Sequence, residues 1–173
     1  MAILFQYGSN CDEDQLNGTD RLCGDARFIG IAQTTSNFKL VFDVWASGRG
    51  CAAADLVETP GQRVWGVLYD VPDYLITRET AHAKGRKAMD DIEGEGTVYR
   101  RESIQVRTAE GTDVTALTYR VIDRKEGLKT NARYVGYIVK GLRDHGIEPS
   151  YIEDVKATAI ANNPEIADEI ARL

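Results

Sequence analysis

Apolar residues fall in short runs over the first two thirds of the chain and at helical spacing over the last third. Ala2-Ile3-Leu4-Phe5 is too short for a helix and stops at Tyr7-Gly8-Ser9-Asn10, strong turn chemistry, so a strand ends at residue 7 or 8. Ser9 or Asn10 is expected to cap a short helix whose first turn holds Asp12, Glu13 and Asp14 and which Leu16 to Leu22 completes. Strands are predicted over Ala26 to Thr34, with Gly30 as a bulge, and over Phe38 to Trp45, broken by Gly48-Arg49-Gly50. Cys51 to Val57 fits a close-packed strand or a short helix, ended by Thr59-Pro60-Gly61. Arg63 to Val71 carries the strongest strand signal. It is apolar on both faces and therefore central, and Gly66 marks a close backbone approach.

From Tyr74 to Ala88 the pattern is helical and polar, weakened by Gly85. Val98 to Arg107 and Val114 to Val121 read as a hairpin across Ala109 to Thr112. Thr130 is placed to cap a helix from Asn131 to Arg143 with Tyr134, Ile138 and Leu142 on one stripe, and Gly146 follows its end. Pro149 opens a helix to about Ala161, Asn162-Asn163-Pro164 stops it, and Glu165 to Leu173 forms a last amphipathic turn or two. Six or seven strands, nearly all before residue 121, with helices in the connections and at the end, give an α+β fold, either open or closed into a small barrel. The 173 residues fit a single domain, 1–173, with a core over 2–152 and a helical tail over 153–173.

Charge narrows the partners. With 21 Lys and Arg against 27 Asp and Glu the formal charge is −6, which opposes a general affinity for nucleic acid. Arg100-Arg101 and Arg120 with Arg124-Lys125 read as solvated strand positions. No basic residue precedes the first apolar run, and that run is too short for a signal peptide or a membrane span, so a cytoplasmic protein without membrane contact is expected. Cys11, Cys23 and Cys51 are odd in number and lack a Cys-x-x-Cys pair, as reduced thiols would. His82 and His145 are too few for a His-rich metal centre.

Two stretches carry candidate chemistry. The strand, glycine turn and helix start around Gly8 gather unpaired backbone N–H groups, a nest for an anion or a developing oxyanion, although a purely structural turn uses the same residues. The run Asp90-Asp91-Ile92-Glu93-Gly94-Glu95 lacks the spacing of a calcium loop, so no metal is expected. Crowded negative charge with burial would instead raise one carboxyl toward working pH, and Glu93, between Ile92 and Gly94, is best placed to be a general base; a solvated acidic turn is the alternative. Cys11 borders the first turn and would become a nucleophile only if a histidine reached it.

Taken together, Tyr7-Gly8-Ser9-Asn10 after an apolar strand, Val64-Trp65-Gly66-Val67-Leu68-Tyr69 in mid-chain, Asp90-Asp91-Ile92-Glu93-Gly94 followed by Tyr99, and Tyr134 on a late helix resemble the γ-glutamylcyclotransferase family over roughly residues 2 to 152. The resemblance implies a small mixed or antiparallel β-barrel with flanking helices and a reaction without cofactor. The α-amine of a small γ-glutamyl compound attacks its own γ-carbonyl and releases 5-oxoproline. By similarity Glu93 moves the protons, Gln6, Tyr7, Gly8, Ser9 and Asn10 hold the glutamyl group, and Tyr99 and Tyr134 line the pocket. The connection from Val71 to Met89 is longer than in compact relatives and is a candidate part of the leaving-group site. A non-catalytic binding module with the same pocket is the competing reading, and a homodimer stays open.

Overall fold

The computed structural model describes residues 1–173. Seven strands form: β1 (Ala2–Gln6), β2 (Arg27–Thr34), β3 (Phe38–Ala46), β4 (Cys51–Glu58), β5 (Trp65–Val71), β6 (Tyr99–Thr108) and β7 (Asp113–Val121). Five of them close into a barrel in the order β1-β5-β2-β6-β7. Its ladders are antiparallel except at the seam, where β1 meets β7 in parallel with Leu4 opposite Leu117. The barrel thus holds five strands rather than six or seven. With both edges of β2 taken by β5 and β6, and β1 closing on β7, no edge is left for β3 and β4, which pair only with each other. The fold is α+β, and one continuous cluster of 44 buried apolar residues serves barrel, hairpin and helices alike.

Several local expectations hold. Gly30 sits at a register shift between β2 and β5, and β5 is central between β1 and β2. A Cβ on Gly66 would stand 2.7 Å from the Phe5 ring, so β5 can lie against Phe5 only as glycine. Cys51–Leu56 is buried throughout and is a strand, because Ala52, Ala53 and Ala54 are small enough to be packed from both faces.

Other expectations need correction. The segment after the first turn is a one-turn 3-10 helix, Ser9–Cys11, followed by α1 (Glu13–Leu16), whose cap is Asp12 accepting from Asp14 N at 3.1 Å. Asn10 does not cap because its side chain is engaged elsewhere. Residues 17–24 form turns, with Asn17 clamping Ala26 by two hydrogen bonds. The stretch predicted as one helix over Tyr74 to Ala88 is a 3-10 turn, Asp73–Leu75, and a short α2 (Arg78–His82), since Gly85 at φ +65° ends it. It is followed by α3 (Met89–Glu93).

In the last third, α4 (Ala132–Asp144) is capped by Asn131, which accepts from Tyr134 N at 2.8 Å, and not by Thr130, which is buried one residue earlier. Tyr134, Ile138 and Leu142 form its buried stripe. α5 (Pro149–Asn162) packs on α4 and β3, and α6 (Ala167–Ile170) closes the helical layer. α4 also lies directly against the Ser9–Cys11 turn, so the late helix positions the first glycine turn. No helix is long and apolar enough to cross a membrane.

Candidate active site

A cavity of about 510 Å³ opens where the turn after β1, the end of α3, the β3–β4 hairpin and the start of α4 converge. Below it a small deep recess of about 30 Å³ lies between the same turn and the tyrosines. Ser9, Asn10, Glu93, Tyr99 and Tyr134 border both spaces, while Gln6, Tyr7 and Gly8 border the recess alone. All eight residues singled out from the sequence therefore lie round one site.

The floor is built from the turn. β1 delivers Gln6 and Tyr7 into the interior, where both are buried. Gly8 then passes beneath Tyr134, whose hydroxyl would stand 3.3 Å from a Cβ at that position. The amides of Ser9 and Asn10 donate to no backbone carbonyl, in keeping with a turn that leaves N–H groups free at the cavity. Gln6 Nε2 is likewise buried without a partner at the recess.

Glu93 faces this turn from the last position of α3. The helix stops there because Gly94 takes φ +68°, a conformation costly to other residues, which releases the chain toward β6. The helix is held from behind by ion pairs. Asp90 receives both hydrogen bonds of Arg101 Nη1 at 2.5 Å and that of the Tyr119 hydroxyl at 2.7 Å. Asp91 receives Arg78 Nε at 2.9 Å and His82 Nε2 at 2.7 Å and accepts from Ala88 N at 3.0 Å. Thus two of the four carboxylates in the acidic run anchor the helix, and Glu93, unlike Asp91 on the same wall, is left free of a salt bridge at the cavity. None of residues 71–89 lines the cavity, contrary to the expectation from the sequence; the long connection instead braces α3.

Asn10 Nδ2 donates to Glu93 Oε1 at 2.7 Å. Asn10 is in turn fixed by Arg21 Nη2 and by Gln15 Nε2 at 3.2 Å, both donating to its carbonyl oxygen, and Gln15 accepts from Arg49 Nη2 at 2.5 Å. Glu93 keeps some solvent contact through the cavity yet is surrounded by protein. Burial raises its pKa above that of an ordinary glutamate, against the opposing pull of the Arg21 cation, the Asn10 hydrogen bond and the Arg49 cation.

Around the carboxylate stand neutral hydroxyls. Tyr134 accepts from Ala54 N at 3.0 Å and burial pushes its pKa up to about 12, while Tyr99 donates to Ala54 O at 2.9 Å. The backbone N–H and C=O of one β4 residue thereby hold the two tyrosines in place. Tyr7 donates to Tyr119 O at 2.6 Å. Burial holds the Tyr7 and Tyr99 hydroxyls far above their usual pKa, so they remain protonated.

Cys11 does not become a nucleophile. Its thiol is fully buried, donates to Gln6 O at 3.1 Å, and is held protonated by burial. His145 instead lies 3.1 Å from the Tyr69 hydroxyl, and His82 is on Asp91. Sequence reasoning missed Gln15, Arg21, Arg49, Arg133 and Tyr119. The Gly48-Arg49-Gly50 loop offered one usable signal, a lone cation between glycines at the end of a hairpin.

Comparison with known proteins bears on the family and the fold. A mouse gamma-glutamylcyclotransferase is 26% identical over 160 residues, 90% of this chain and 77% of its own, and a Bos taurus gamma-glutamylcyclotransferase is 24% identical over 158 residues, 86% and 74%. Among solved structures, a gamma-glutamyl cyclotransferase has a TM-score of 0.74 at 22% identity over 99% of both chains. A human protein solved as uncharacterized has a TM-score of 0.75 at 24% identity, over 90% of this chain and 86% of that one. The family described as gamma-glutamyl cyclotransferase, AIG2-like, matches residues 4–136, and this chain belongs to that family.

Proposed function

We propose that the protein is a cyclotransferase that converts a γ-glutamyl amine or amino acid into 5-oxoproline and the free amine. The observation that carries this is the Asn10–Glu93 hydrogen bond, which holds a carboxylate of raised pKa beside a turn with free amides at a substrate-sized cavity.

In this reading the glutamyl group sits on the Gly8–Asn10 turn, and Glu93 faces its α-ammonium. The carboxylate accepts one proton, and the freed amine attacks the γ-carbonyl carbon of the same molecule. As the tetrahedral centre collapses, Glu93–H gives its proton to the departing nitrogen and the γ-C–N bond breaks. The ring nitrogen then sheds its second proton, which the released amine takes up as an ammonium, and the neutral five-membered lactam remains. No net proton is consumed. Glu93 suits both halves because its raised pKa lies nearer to neutrality than that of a solvated carboxylate. The amides of Ser9 and Asn10 are available to the oxyanion, and the protonated hydroxyls of Tyr99 and Tyr134 shape the walls. Ring closure supplies much of the rest, since aligned intramolecular reactions reach effective molarities of roughly 10⁵–10⁸ M.

The test is a mass-spectrometric screen for 5-oxoproline with glutathione, γ-glutamyl amino acids and γ-glutamyl amines, alongside Glu93→Gln. Product formed by the native chain and lost in the variant supports the reading. Tight binding with no product from any compound would identify a binding module instead.

A further inference from the structure

The cavity extends well beyond what a glutamyl group needs, and its outer half has a charge that the proposed chemistry does not use. Three arginines border it, Arg21, Arg49 and Arg133, in a protein whose formal charge is −6. The acidic residues on its wall are Glu93 and Asp91, and Asp91 is already paired with Arg78 and His82. Arg21 is committed to the Asn10–Glu93 pair. Arg49 and Arg133 have no carboxylate partner. Arg49 is oriented by Gln15 and by stacking over Tyr134 and Tyr137, 5.5 and 5.0 Å from the ring centroids, and the exposed Arg133 makes no ion pair or side-chain hydrogen bond. Arg133 also occupies the first turn of the thirteen-residue α4, whose positive end borders the same mouth.

We infer that Arg49 and Arg133 form an anion subsite that selects γ-glutamyl compounds whose leaving group carries a carboxylate, and that Arg133 determines this specificity. The inference rests on the cyclotransferase reading for its orientation: with the glutamyl half on the Gly8–Asn10 turn, the leaving group extends toward Arg49 and Arg133. A cationic leaving amine meets two uncompensated guanidinium groups there, whereas a carboxylate is received by planar donors suited to bidentate contact.

Two substrates that differ only in that charge test it, γ-glutamyl-alanine and γ-glutamyl-alaninamide. The native chain is expected to favour the acid by roughly 10- to 100-fold in kcat/KM, the range of a charge-assisted hydrogen bond. Arg133→Gln is expected to remove most of that ratio by slowing the acid while leaving the amide unchanged, and Arg133→Glu to invert it. Arg133 makes no ion pair or side-chain hydrogen bond, and a loss of folding would in any case lower both rates together and leave the ratio intact. Equal rates for the two compounds in the native chain, or a ratio unmoved by Arg133→Gln, would overturn the inference while leaving the cyclotransferase reading standing. If neither these two nor any compound of the screen is turned over, that reading fails, and calorimetric binding of the same pair decides the subsite: a preference for the acid that Arg133→Gln removes upholds it, and equal binding ends it.

Discussion

Gly141 of α4 and Cys11 of the first turn meet backbone to backbone, so closely that a Cβ at position 141 would fall inside the Cys11 and Asp12 main chain. The neighbouring Lys140 completes the clamp with hydrogen bonds of 3.0 Å to both Asp12 and Asp14. The turn that carries Ser9 and Asn10 is therefore set by a helix more than a hundred residues later. Gly141→Ala is expected to cost about 2–4 kcal/mol, as overpacking against rigid backbone does, and to lower activity in the fraction that folds. Urea unfolding with parallel assays checks this; a variant of native stability would show that the helix can shift away without effect.

Glu93→Gln tests chemistry and stability at once. Activity is expected to fall roughly 10²- to 10⁴-fold, the span of general acid–base catalysis. Stability moves the other way. A carboxyl whose pKa is higher in the folded than in the unfolded chain binds more protons when folded, so its contribution to stability falls as pH rises through the interval between the two values. Above that interval the neutral amide is the better resident, and the variant should melt at or above the native temperature at pH 7–8. A clear loss of melting temperature at that pH would argue that the charge is part of what holds the site together.

The pH–rate profile offers an independent check. Its acid limb should lie above the ordinary glutamate value of about 4.3, because burial disfavours the charged form. Arg21 is the largest of the opposing influences, stabilising the carboxylate, so Arg21→Gln should carry the limb further up in pH. A limb that stays in place or moves down would remove Arg21 from the electrostatics of Glu93.

Tyr134→Phe deletes the acceptor for Ala54 N, a buried donor on β4. An unpaired buried amide costs about 1–3 kcal/mol, so denaturant unfolding should show a loss in that range. Native stability would mean that Ala54 finds water or another acceptor.

The sequence made the elements legible where the signal is local. The alternation in β6 and β7, the apolar stripe of α4 and the stop at Asn163-Pro164 need only near neighbours to be understood. Errors arose where one side chain has two possible employers. Asn10 is a good cap by type, but a carboxylate 83 positions away holds its amide, and Asp12 takes over the capping. Thr130 has the same chemistry as a cap but is buried beneath α5, where Asn162 and Asn163 bond its main chain, and Asn131 caps instead. The eight candidate site residues came from turn chemistry and resemblance. The arginines did not, because a cation in a loop or a helix's first turn has no periodicity to mark it, and its role exists only once the hairpin and α4 are brought to the same mouth.

The exclusion of β3 and β4 from the barrel has one more consequence. The wall carrying Arg49 and Trp45 belongs to a two-stranded sheet that shares no ladder hydrogen bond with the strands supporting the Gly8 turn. Length or residue changes at the hairpin tip, 46–50, can therefore be accepted without breaking a single rung of the barrel. As long as Arg49 keeps its bond to Gln15, what enters the outer half of the cavity can drift in evolution, or be redesigned, while the Asn10–Glu93 pair stays where it is.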